Sequence, residues 1–490
     1  MPSPEELEAV ARGATPVPLD AADRDRIAAG RAVVEAALEQ GTAVYGVTTG
    51  FGQLESVRIP AGDAAQLQVN LLRSHAVGSG PPLPDEIVRG MLLLLASSLR
   101  RGHSGVRPEL VELVLGLLEE GVTPVIPSKG SVGSSGDLAP LAHLGLVLIG
   151  EGWATYRGES LPGGEALARA GLAPVELSAK EGLAIINGTH LMAAAGTLAV
   201  RDAQRLLDAA VVAVALSLEA FKGSTVPFDA RLHQLRGQPG PTAVANRLRG
   251  LLDGSPVVAS HADCGRVQDP YTLRCAPQVL GAVADALAYV AGAFERELRA
   301  VTDNPLVFPE DHDILSGGNF HGQPLSLPLD HLALALCELA SFSERRIYAL
   351  LSPGYAGLPA FLTPRPGLSS GLMIAQYAAA ALVNESQVLS HPAGAGSIPT
   401  SAGQEDFNSM GAFAALKART VAENAAQVVA TELVCAVQGL EFHRPLRSTP
   451  ALEEAAARVR SYVPRVEEDR SLAGELADLA AALRTGELVL

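Results

Sequence analysis

The 490-residue chain has few residues of several kinds, and each shortage narrows its possible functions. Basic residues are outnumbered, with 37 Lys and Arg against 53 Asp and Glu and a formal net charge of −16. Nucleic acids and anionic membranes attract basic surfaces, so we expect neither as a partner. The cysteines lie far apart and form no CxxC pair, so neither a zinc site nor a disulfide framework is expected: Cys264, Cys275, Cys337 and Cys435.

Long apolar runs are also missing. The most apolar stretch, residues 209–218, is about half of the ~20 residues that a membrane span needs. The first residues, MPSPEELEAVARG, are acidic and lack the apolar core of a signal peptide. We therefore expect a cytoplasmic protein with no membrane partner.

Aromatic residues are scarce, at 4%, although apolar residues as a whole reach 48%. The core must then consist mostly of Ala, Leu and Val, and the first two favour helices. Apolar residues recur every three or four positions in long segments, which predicts amphipathic helices at 190–221, 276–300, 325–351, 367–390 and 409–439. Long helices with short connections pack as bundles, so we predict a mainly α fold with a long central helical bundle.

The N-terminal part differs from the rest. Its helical patterns are shorter, near 20–40, 60–73, 83–100 and 107–121, and glycine-rich loops separate them. A mixed segment with the sequence LPGGE, within 153–176, predicts a short hairpin. We therefore predict a smaller, loop-rich region at 1–190 and a region of long helices and C-terminal helices at 191–490, together forming one integrated catalytic unit.

One loop, GSVGSSGDLAPLAH at 130–143, concentrates glycine and serine before a helical pattern. It does not match a phosphate-binding P-loop, because Asp137 rather than lysine follows Gly136. Its spacing fits neither the dinucleotide motif GxGxxG nor the nucleophile elbow GxSxG. Considered alone, the segment is also compatible with a flexible loop that caps a helix.

With its flanks, this loop resembles the signature of the histidine and aromatic amino acid ammonia-lyases. In that family a tripeptide cyclises autocatalytically into 4-methylidene-imidazol-5-one (MIO). The resemblance implies that Ser134, Ser135 and Gly136 form MIO, although Ser134 stands where the family more often has alanine. The amide nitrogen of Gly136 would attack the carbonyl of Ser134, which glycine leaves unhindered, and dehydration of Ser135 would create the electrophilic methylidene. Helix N-termini that point at the ring would make its methylidene more electrophilic.

Six further segments match the family in order: VYGVTTGFG at 44–52, EGLAIINGTH at 181–190, QDPYTLRCAPQ at 268–278, TDNPLVF at 302–308, SGGNFHGQP at 316–324 and QEDFNSMG at 404–411. The resemblance implies a role for one or more residues in most of them. Tyr45 would be the catalytic base, a role that requires its pKa of ~10 to be depressed by its surroundings, and Tyr271 would assist at the reacting centre. The other implied residues are Asn187 and Arg274 on the substrate carboxylate, Gln268 supporting the ring, Phe320 beside substrate and ring, and Glu405 in catalysis.

The substrate is indicated by two positions. NLLRSHAVG at 70–78 resembles the histidine-specific version of its segment, in which His75 would hydrogen-bond the substrate imidazole, and Glu405 lies in the Gln-Glu-Asp of that version. The resemblance thus implies conversion of L-histidine to trans-urocanate and ammonia, the first step of histidine degradation. A tyrosine or phenylalanine ammonia-lyase, or an MIO-dependent aminomutase, is the alternative, and a non-catalytic helical scaffold is the alternative of another class. His190, Thr48 and Phe407 depart from the commonest residues of the histidine-specific enzymes.

Pyridoxal phosphate is the rival means of activating an amino acid, and it requires a Schiff-base lysine. The chain has only four lysines, and we interpret Lys129 and Lys180, which lie beside family motifs, as solvated residues. We therefore expect neither pyridoxal phosphate nor a metal. The resemblance further implies a homotetramer in which several subunits build each active site.

Overall fold

The computed structural model describes residues 1–262, 265–354 and 357–490, without the side chain of Gln53. Cys264 lies outside the described residues, whereas Cys275, Cys337 and Cys435 are free thiols. Within the described ranges, no three His, Cys, Asp or Glu side chains are grouped so that they could hold a metal ion.

The prediction of a mainly α fold is confirmed. The described residues form nineteen α-helices, numbered α1 to α19 in chain order: Pro4–Ala11, Ala21–Gln40, Ala64–His75, Asp85–Leu99, Pro108–Glu120, Leu138–Leu148, Gly163–Arg169, Glu181–Ile186, His190–Ala220, Ala230–Arg236, Pro239–Leu252, Pro256–Ala259, Tyr271–Arg274, Ala276–Glu297, Gln323–Leu351, Met373–Leu389, Gly411–Glu441, Pro450–Tyr462 and Ala473–Thr485. The five predicted long helices correspond to α9 and α14 to α17, with ends that differ from the predicted ones by up to six residues.

The strands are short and form three small antiparallel sheets. They are β1 to β7: Ser79–Pro82, Thr123–Pro124, Pro127–Lys129, Trp153–Tyr156, Glu159–Pro162, Leu306–Phe308 and Asp313–Leu315. β1 pairs with β3, β4 lies between β2 and β5, and β6 pairs with β7. The predicted hairpin is β4–β5, but its turn is Arg157-Gly158, where both residues have positive φ, and LPGGE instead leads into α7 at Gly163.

Small side chains allow close packing of the helices near the site. Most residues of α4 are buried, as expected of a helix that is apolar on nearly all faces. A Cβ added to Gly90 in α4 would lie 2.9 Å from the Cβ of Ala194 in α9. Only glycine and alanine let α4 and α9 approach each other this closely. The close packing therefore agrees with the scarcity of large aromatic residues.

Two compact units can be distinguished in the chain. The first contains Met1–Leu198, Ala291–Asp330 and Pro392–Leu416, and the second contains Ala199–Val290, His331–His391 and Lys417–Leu490. Four of the five division points fall inside α9, α14, α15 and α17, and the fifth lies between His391 and Pro392, after α16. The organisation into regions 1–190 and 191–490 stays a prediction.

Two helices, α14 and α15, are long and apolar enough to cross a membrane by length and composition alone. Helices in the core of a globular protein pass the same test, and 67% of the most apolar window of α15 is buried inside the chain. These two helices are therefore weak evidence for membrane spans.

Candidate active site

The loop at 130–137 is held in a conformation that only glycine tolerates at its end. Gly136 has φ +77° and forms a parallel β-bridge with Gly188, whose carbonyl accepts the backbone N–H of Asp137 at 2.8 Å. A Cβ on Gly136 would lie 2.0 Å from the Gly188 oxygen. The backbone of this loop is thus fixed against the segment that carries Asn187.

Asp137 connects the loop to the start of α9. Its carboxylate is fully buried and accepts the backbone N–H groups of Leu191 and Met192 at 2.9 and 3.1 Å, as well as the hydroxyl of Ser131. Burial raises the pKa of Asp137 to about 7, and the three hydrogen bonds partly oppose that rise. In the sequence, Asp137 serves only to exclude phosphate. An acid directly before a helical pattern predicts a cap of that helix, but Asp137 makes no side-chain cap on α6 and binds the start of α9 instead.

The other side of the loop is held by the residues before α17. The hydroxyl of Ser409 donates to the carbonyl of Gly133 at 2.9 Å, and the N–H of Met410 donates to the carbonyl of Val132 at 2.8 Å. Three helices, α6, α9 and α17, therefore begin at residues next to the loop or bonded to it. Helix N-termini carry partial positive charge, so this arrangement stabilises negative charge at the loop and would make an electron-accepting group there more electrophilic.

Two adjoining cavities in the first unit bring most of the predicted residues together. One, of about 490 Å³, is lined by Tyr45, His75, Ser135, Asn187 and Glu405 among others. The other, of about 420 Å³, shares four of these residues with the first and adds Ser134 and Phe320. Segments separated by up to 360 residues in sequence thus meet at the loop.

Tyr45 is partly buried, and its hydroxyl oxygen accepts the backbone N–H of Gly52 at 3.1 Å. Burial raises the pKa of Tyr45, and the negative charges of Glu405 and Glu55 add to the rise, whereas the Gly52 hydrogen bond opposes it. The depressed pKa that the role of catalytic base requires is therefore not produced by the described residues around Tyr45. The phenol is protonated there at neutral pH.

His75 is the last residue of α3, and its Nδ1 lies 2.9 Å from the carbonyl of Leu71. Nδ1 also lies 3.0 Å from the hydroxyl of Ser74, which itself donates to the Leu71 carbonyl at 3.1 Å. Both neighbours of Nδ1 are therefore acceptors, which favours the tautomer with hydrogen on Nδ1. Burial lowers the pKa of His75, with the Leu71 bond and the charge of Glu405 opposing the change. The ring is thus neutral at pH 7, with Nε2 as an acceptor.

Glu405 faces the loop. Its Oε1 accepts the hydroxyl of Ser135 at 3.2 Å, and its Oε2 accepts the hydroxyl of Thr400 at 2.6 Å. The backbone of Thr400 also bridges to Glu405. The carboxylate is therefore fixed beside the Cβ of Ser135.

Asn187 is buried between the loop and the segment at 303–304. Its Nδ2 donates to the carbonyl of Asn304 at 2.7 Å and points to a carboxylate oxygen of Asp303 at 3.4 Å. The second oxygen of Asp303 accepts the Nζ of Lys180 at 2.6 Å. The interpretation of Lys180 as a solvated residue is wrong, since its side chain is fully buried, whereas Lys129 is exposed as expected.

Three predicted residues belong to the second unit and do not line these cavities. Gln268 is exposed, and Tyr271 is 68% exposed at the start of α13. The guanidinium of Arg274, at the end of α13, lies 4.5 Å from the centre of the Tyr271 ring. The Nε of Arg274 is buried without a hydrogen-bond partner among the described residues. The roles implied for these three residues stay predictions.

Comparisons with known proteins agree with the motifs. A family model described as aromatic amino acid lyase matches residues 3–461. A histidine ammonia-lyase of Deinococcus radiodurans is 53% identical over 486 residues, which cover 99% of this chain and 93% of that protein. The structure of histidine ammonia-lyase from Trypanosoma cruzi has a TM-score of 0.91 at 42% identity, covering 99% of this chain and 92% of that one. Tyrosine aminomutase from Streptomyces globisporus has a TM-score of 0.92 at 36% identity, with 99% and 95% covered.

These matches extend over nearly the whole chain and are not confined to a few motifs. The resemblance deduced from the sequence is therefore confirmed. The chain belongs to the aromatic amino acid lyase family.

Proposed function

We propose that the protein eliminates ammonia from L-histidine to give trans-urocanate. The observation that carries this proposal is that Tyr45, His75, Ser135 and Glu405 line one cavity, with a neutral imidazole of fixed tautomer at its wall. The 53% identity to the Deinococcus radiodurans histidine ammonia-lyase supports the same reaction.

His75 provides the selectivity for histidine. Because Nδ1 donates to Leu71, Nε2 faces a ligand as an acceptor, and the ring N–H of a substrate imidazole is a matching donor. The phenyl ring of phenylalanine has no such donor. A site built around a polar partner rejects the substrate that lacks it, because the partner is then left unsatisfied.

Ser134, Ser135 and Gly136 fit the formation of MIO. The positive φ of Gly136, the contact with Gly188 and the two anchors at Ser409 and Met410 hold the loop in one bent conformation. Cyclisation would release two waters, one of them containing the hydroxyl oxygen of Ser135. Once formed, the ring would supply the electrophile that captures the substrate amine.

Tyr45 removes the β-proton of the substrate. Its raised pKa keeps the phenol protonated at neutral pH, and the substrate ammonium is the opposite charge that would lower this pKa. Tyr45 thus becomes a base only while a cationic substrate is bound. The N–H of Gly52 is already placed to stabilise the phenolate.

Glu405 acts at the amine end of the substrate. Its carboxylate lies beside Ser135, from which the electrophile is derived, and Thr400 fixes its second oxygen. A carboxylate at this position accepts hydrogen bonds from an ammonium group and stabilises its charge.

A homotetramer with shared active sites, located in the cytoplasm, belongs to the same proposal. Tyr271 is exposed in the single chain. Such exposure of a residue with an assigned role is expected when a neighbouring subunit completes the active site. Sedimentation analysis of the purified protein tests the assembly, and a monomer with full activity would contradict it.

The decisive experiment incubates the purified protein separately with L-histidine, L-tyrosine and L-phenylalanine and follows absorbance of the conjugated product. We expect turnover of L-histidine only. Turnover of tyrosine without histidine would establish the tyrosine enzyme instead, and appearance of a β-amino acid would establish an aminomutase. Mass spectrometry of the peptide spanning 130–143 should show a deficit of two waters, and the Ser135→Ala variant is the control that cannot form the methylidene. An unmodified wild-type mass would favour a non-catalytic scaffold.

A further inference from the structure

One fully buried amide in α3 takes no part in the chemistry proposed above. Gln68 is 0% exposed. Its Oε1 accepts the backbone N–H of Leu183 in α8 at 2.9 Å, and its Nε2 donates to the carbonyl of Gly46 at 3.3 Å. An N–H only donates and a carbonyl only accepts, so these two partners fix the orientation of the amide. Gln68 thus joins α3 to α8 and to the loop at 44–52, which carries Tyr45.

The three segments are in close contact where Gln68 joins them. Gly46, in the loop at 44–52, has φ +65°, and an added Cβ would clash with the side chain of Leu183. An added Cβ on Gly182 in α8 would lie 2.7 Å from the carbonyl oxygen of Gln68. A displacement of the loop at this point therefore changes its contact with α8 directly.

The loop at 44–52 depends on Gln68 for its attachment by hydrogen bonds. Within the described ranges, its other hydrogen bonds are made with residues of the segment 42–59. For example, the N–H of Gly50 donates to the carbonyl of Val57 at 2.9 Å. The bond from Gln68 is therefore the one that links this loop to another element of the described structure.

The helix α3 also carries His75, which the proposed function places against the substrate imidazole. Gln68 and His75 are seven residues apart, so they lie two turns apart on nearly the same side of α3, about 10 Å along its axis. A helix keeps such a separation because its own hydrogen bonds hold it. One helix thus sets the distance between the acceptor for the imidazole and the loop with Tyr45.

We propose that Gln68 is a positioning residue for removal of the β-proton of the substrate. Its amide fixes the peptide of Gly46, and with it the phenol of the neighbouring Tyr45, against α3 and α8. This inference rests on the proposed elimination of ammonia from L-histidine, in which Tyr45 takes that proton. A general base must lie within hydrogen-bond reach of its proton, so a small displacement of the loop slows this step. The contact of His75 with the imidazole is kept.

A double-mutant cycle with Tyr45 tests this role. Gln68→Met nearly keeps the length of the side chain and removes both hydrogen bonds. It should lower kcat for L-histidine at least ~10-fold in the wild-type background and less than about twofold in the Tyr45→Phe background, where no phenol is left to misplace. Equal losses in both backgrounds would show a merely structural role and would overturn the proposal. If Gln68→Met does not fold, Gln68→Ala is compared in the same two backgrounds, because alanine favours the helix and leaves room for water at the N–H of Leu183.

Two readouts separate a displaced loop from a general loss of structure. The peptide spanning 130–143 of Gln68→Met should keep the mass deficit of two waters, and calorimetry should show binding of 3-(imidazol-4-yl)propanoate within about twofold of the wild type. Hydrogen exchange needs no turnover, and exchange of the peptide 44–52 should accelerate about 3- to 10-fold, as expected for loss of one hydrogen bond. Unchanged exchange of this peptide would overturn the proposal.

Gln438 supplies a matched control. It is 1% exposed in α17, belongs to the second unit, and its Nε2 donates to the carbonyls of Leu362 and Val466 at 3.2 and 2.8 Å. Gln438→Met should lower the melting temperature and leave kcat within about twofold, and a loss as large as that of Gln68→Met would overturn the proposal. If the wild type turns over L-tyrosine instead of L-histidine, the proposed function is wrong, and the same cycle measured with L-tyrosine still tests Gln68.

Discussion

Replacing Gly136 with alanine should prevent ring formation by displacing the loop. The added Cβ would lie 2.0 Å from the oxygen, 2.4 Å from the carbon and 2.8 Å from the nitrogen of Gly188. All three are backbone atoms, so no side-chain rotation relieves the clash. The two segments must separate, and the hydrogen bonds from Asp137 to Gly188 and from Gly188 to Ser135 are lost with that movement.

The size of the effect follows from these contacts. A left-handed conformation costs a residue other than glycine about 1–2 kcal/mol. Each lost backbone hydrogen bond contributes about 0.5–1.5 kcal/mol. We therefore expect the free energy of unfolding of Gly136→Ala to fall by about 2–5 kcal/mol.

Gly121 provides the control that separates conformation from contact. It ends α5 with φ +73°, close to the φ of Gly136, but an added Cβ would meet nothing within 4 Å. Gly121→Ala should thus lose only the conformational contribution of about 1–2 kcal/mol and keep full activity.

Denaturant unfolding and the mass of the peptide spanning 130–143 are the measurements. Gly136→Ala should show the unmodified mass and no turnover, and Gly121→Ala should show the deficit of two waters. A Gly136→Ala protein with the ring and with the stability of Gly121→Ala would refute the reasoning, because the contact with Gly188 would then not constrain the loop.

Three further changes test the site. Tyr45→Phe should retain the mass deficit of the loop and lower kcat about 10²–10⁴-fold, as expected for loss of a general base, and steady-state kinetics with the peptide mass check this. His75→Leu should lower kcat/KM for L-histidine at least ~10-fold and affect L-phenylalanine less, which parallel assays of both substrates would show. Burial lowers the pKa of His190 to about 4 and raises that of Asp137 to about 7. Between pH 4 and pH 7, the contribution of His190 to the free energy of unfolding therefore rises with pH, whereas the contribution of Asp137 falls. In His190→Gln only the Asp137 contribution remains, and the free energy of unfolding should fall more steeply from pH 4 to 7 than in the wild type; an unchanged slope in denaturant titrations would contradict this.

Helix periodicity was enough to locate the long helices. α9, for example, was expected at 190–221 and extends over His190–Ala220, because its alanines and leucines favour a helix locally. The ends were less accurate where local geometry decides them. The helix expected from 367 begins only at Met373, after Gly367 and Gly371, which both have positive φ.

Single residues whose role depends on distant neighbours were harder to interpret. Lys180 was expected in solvent because an isolated lysine prefers water, but Asp303, 123 residues further along the chain, neutralises it in the interior. The role of Tyr45 as base requires a depressed pKa, yet burial and the charge of Glu405 raise it. In both cases the environment comes from segments remote in sequence.

The helical class, the family and most of the residues around the loop could be predicted from the sequence, because these depend on periodicity and on short ordered motifs. Three features are visible only in the folded chain: His75 is a neutral acceptor, Asp137 caps α9, and Asn187 turns its amide hydrogens toward Asp303 and Asn304. A side chain's type states which hydrogen bonds it can make. Which of them it does make, and which protonation state follows, depends on partners that only folding brings within about 3 Å.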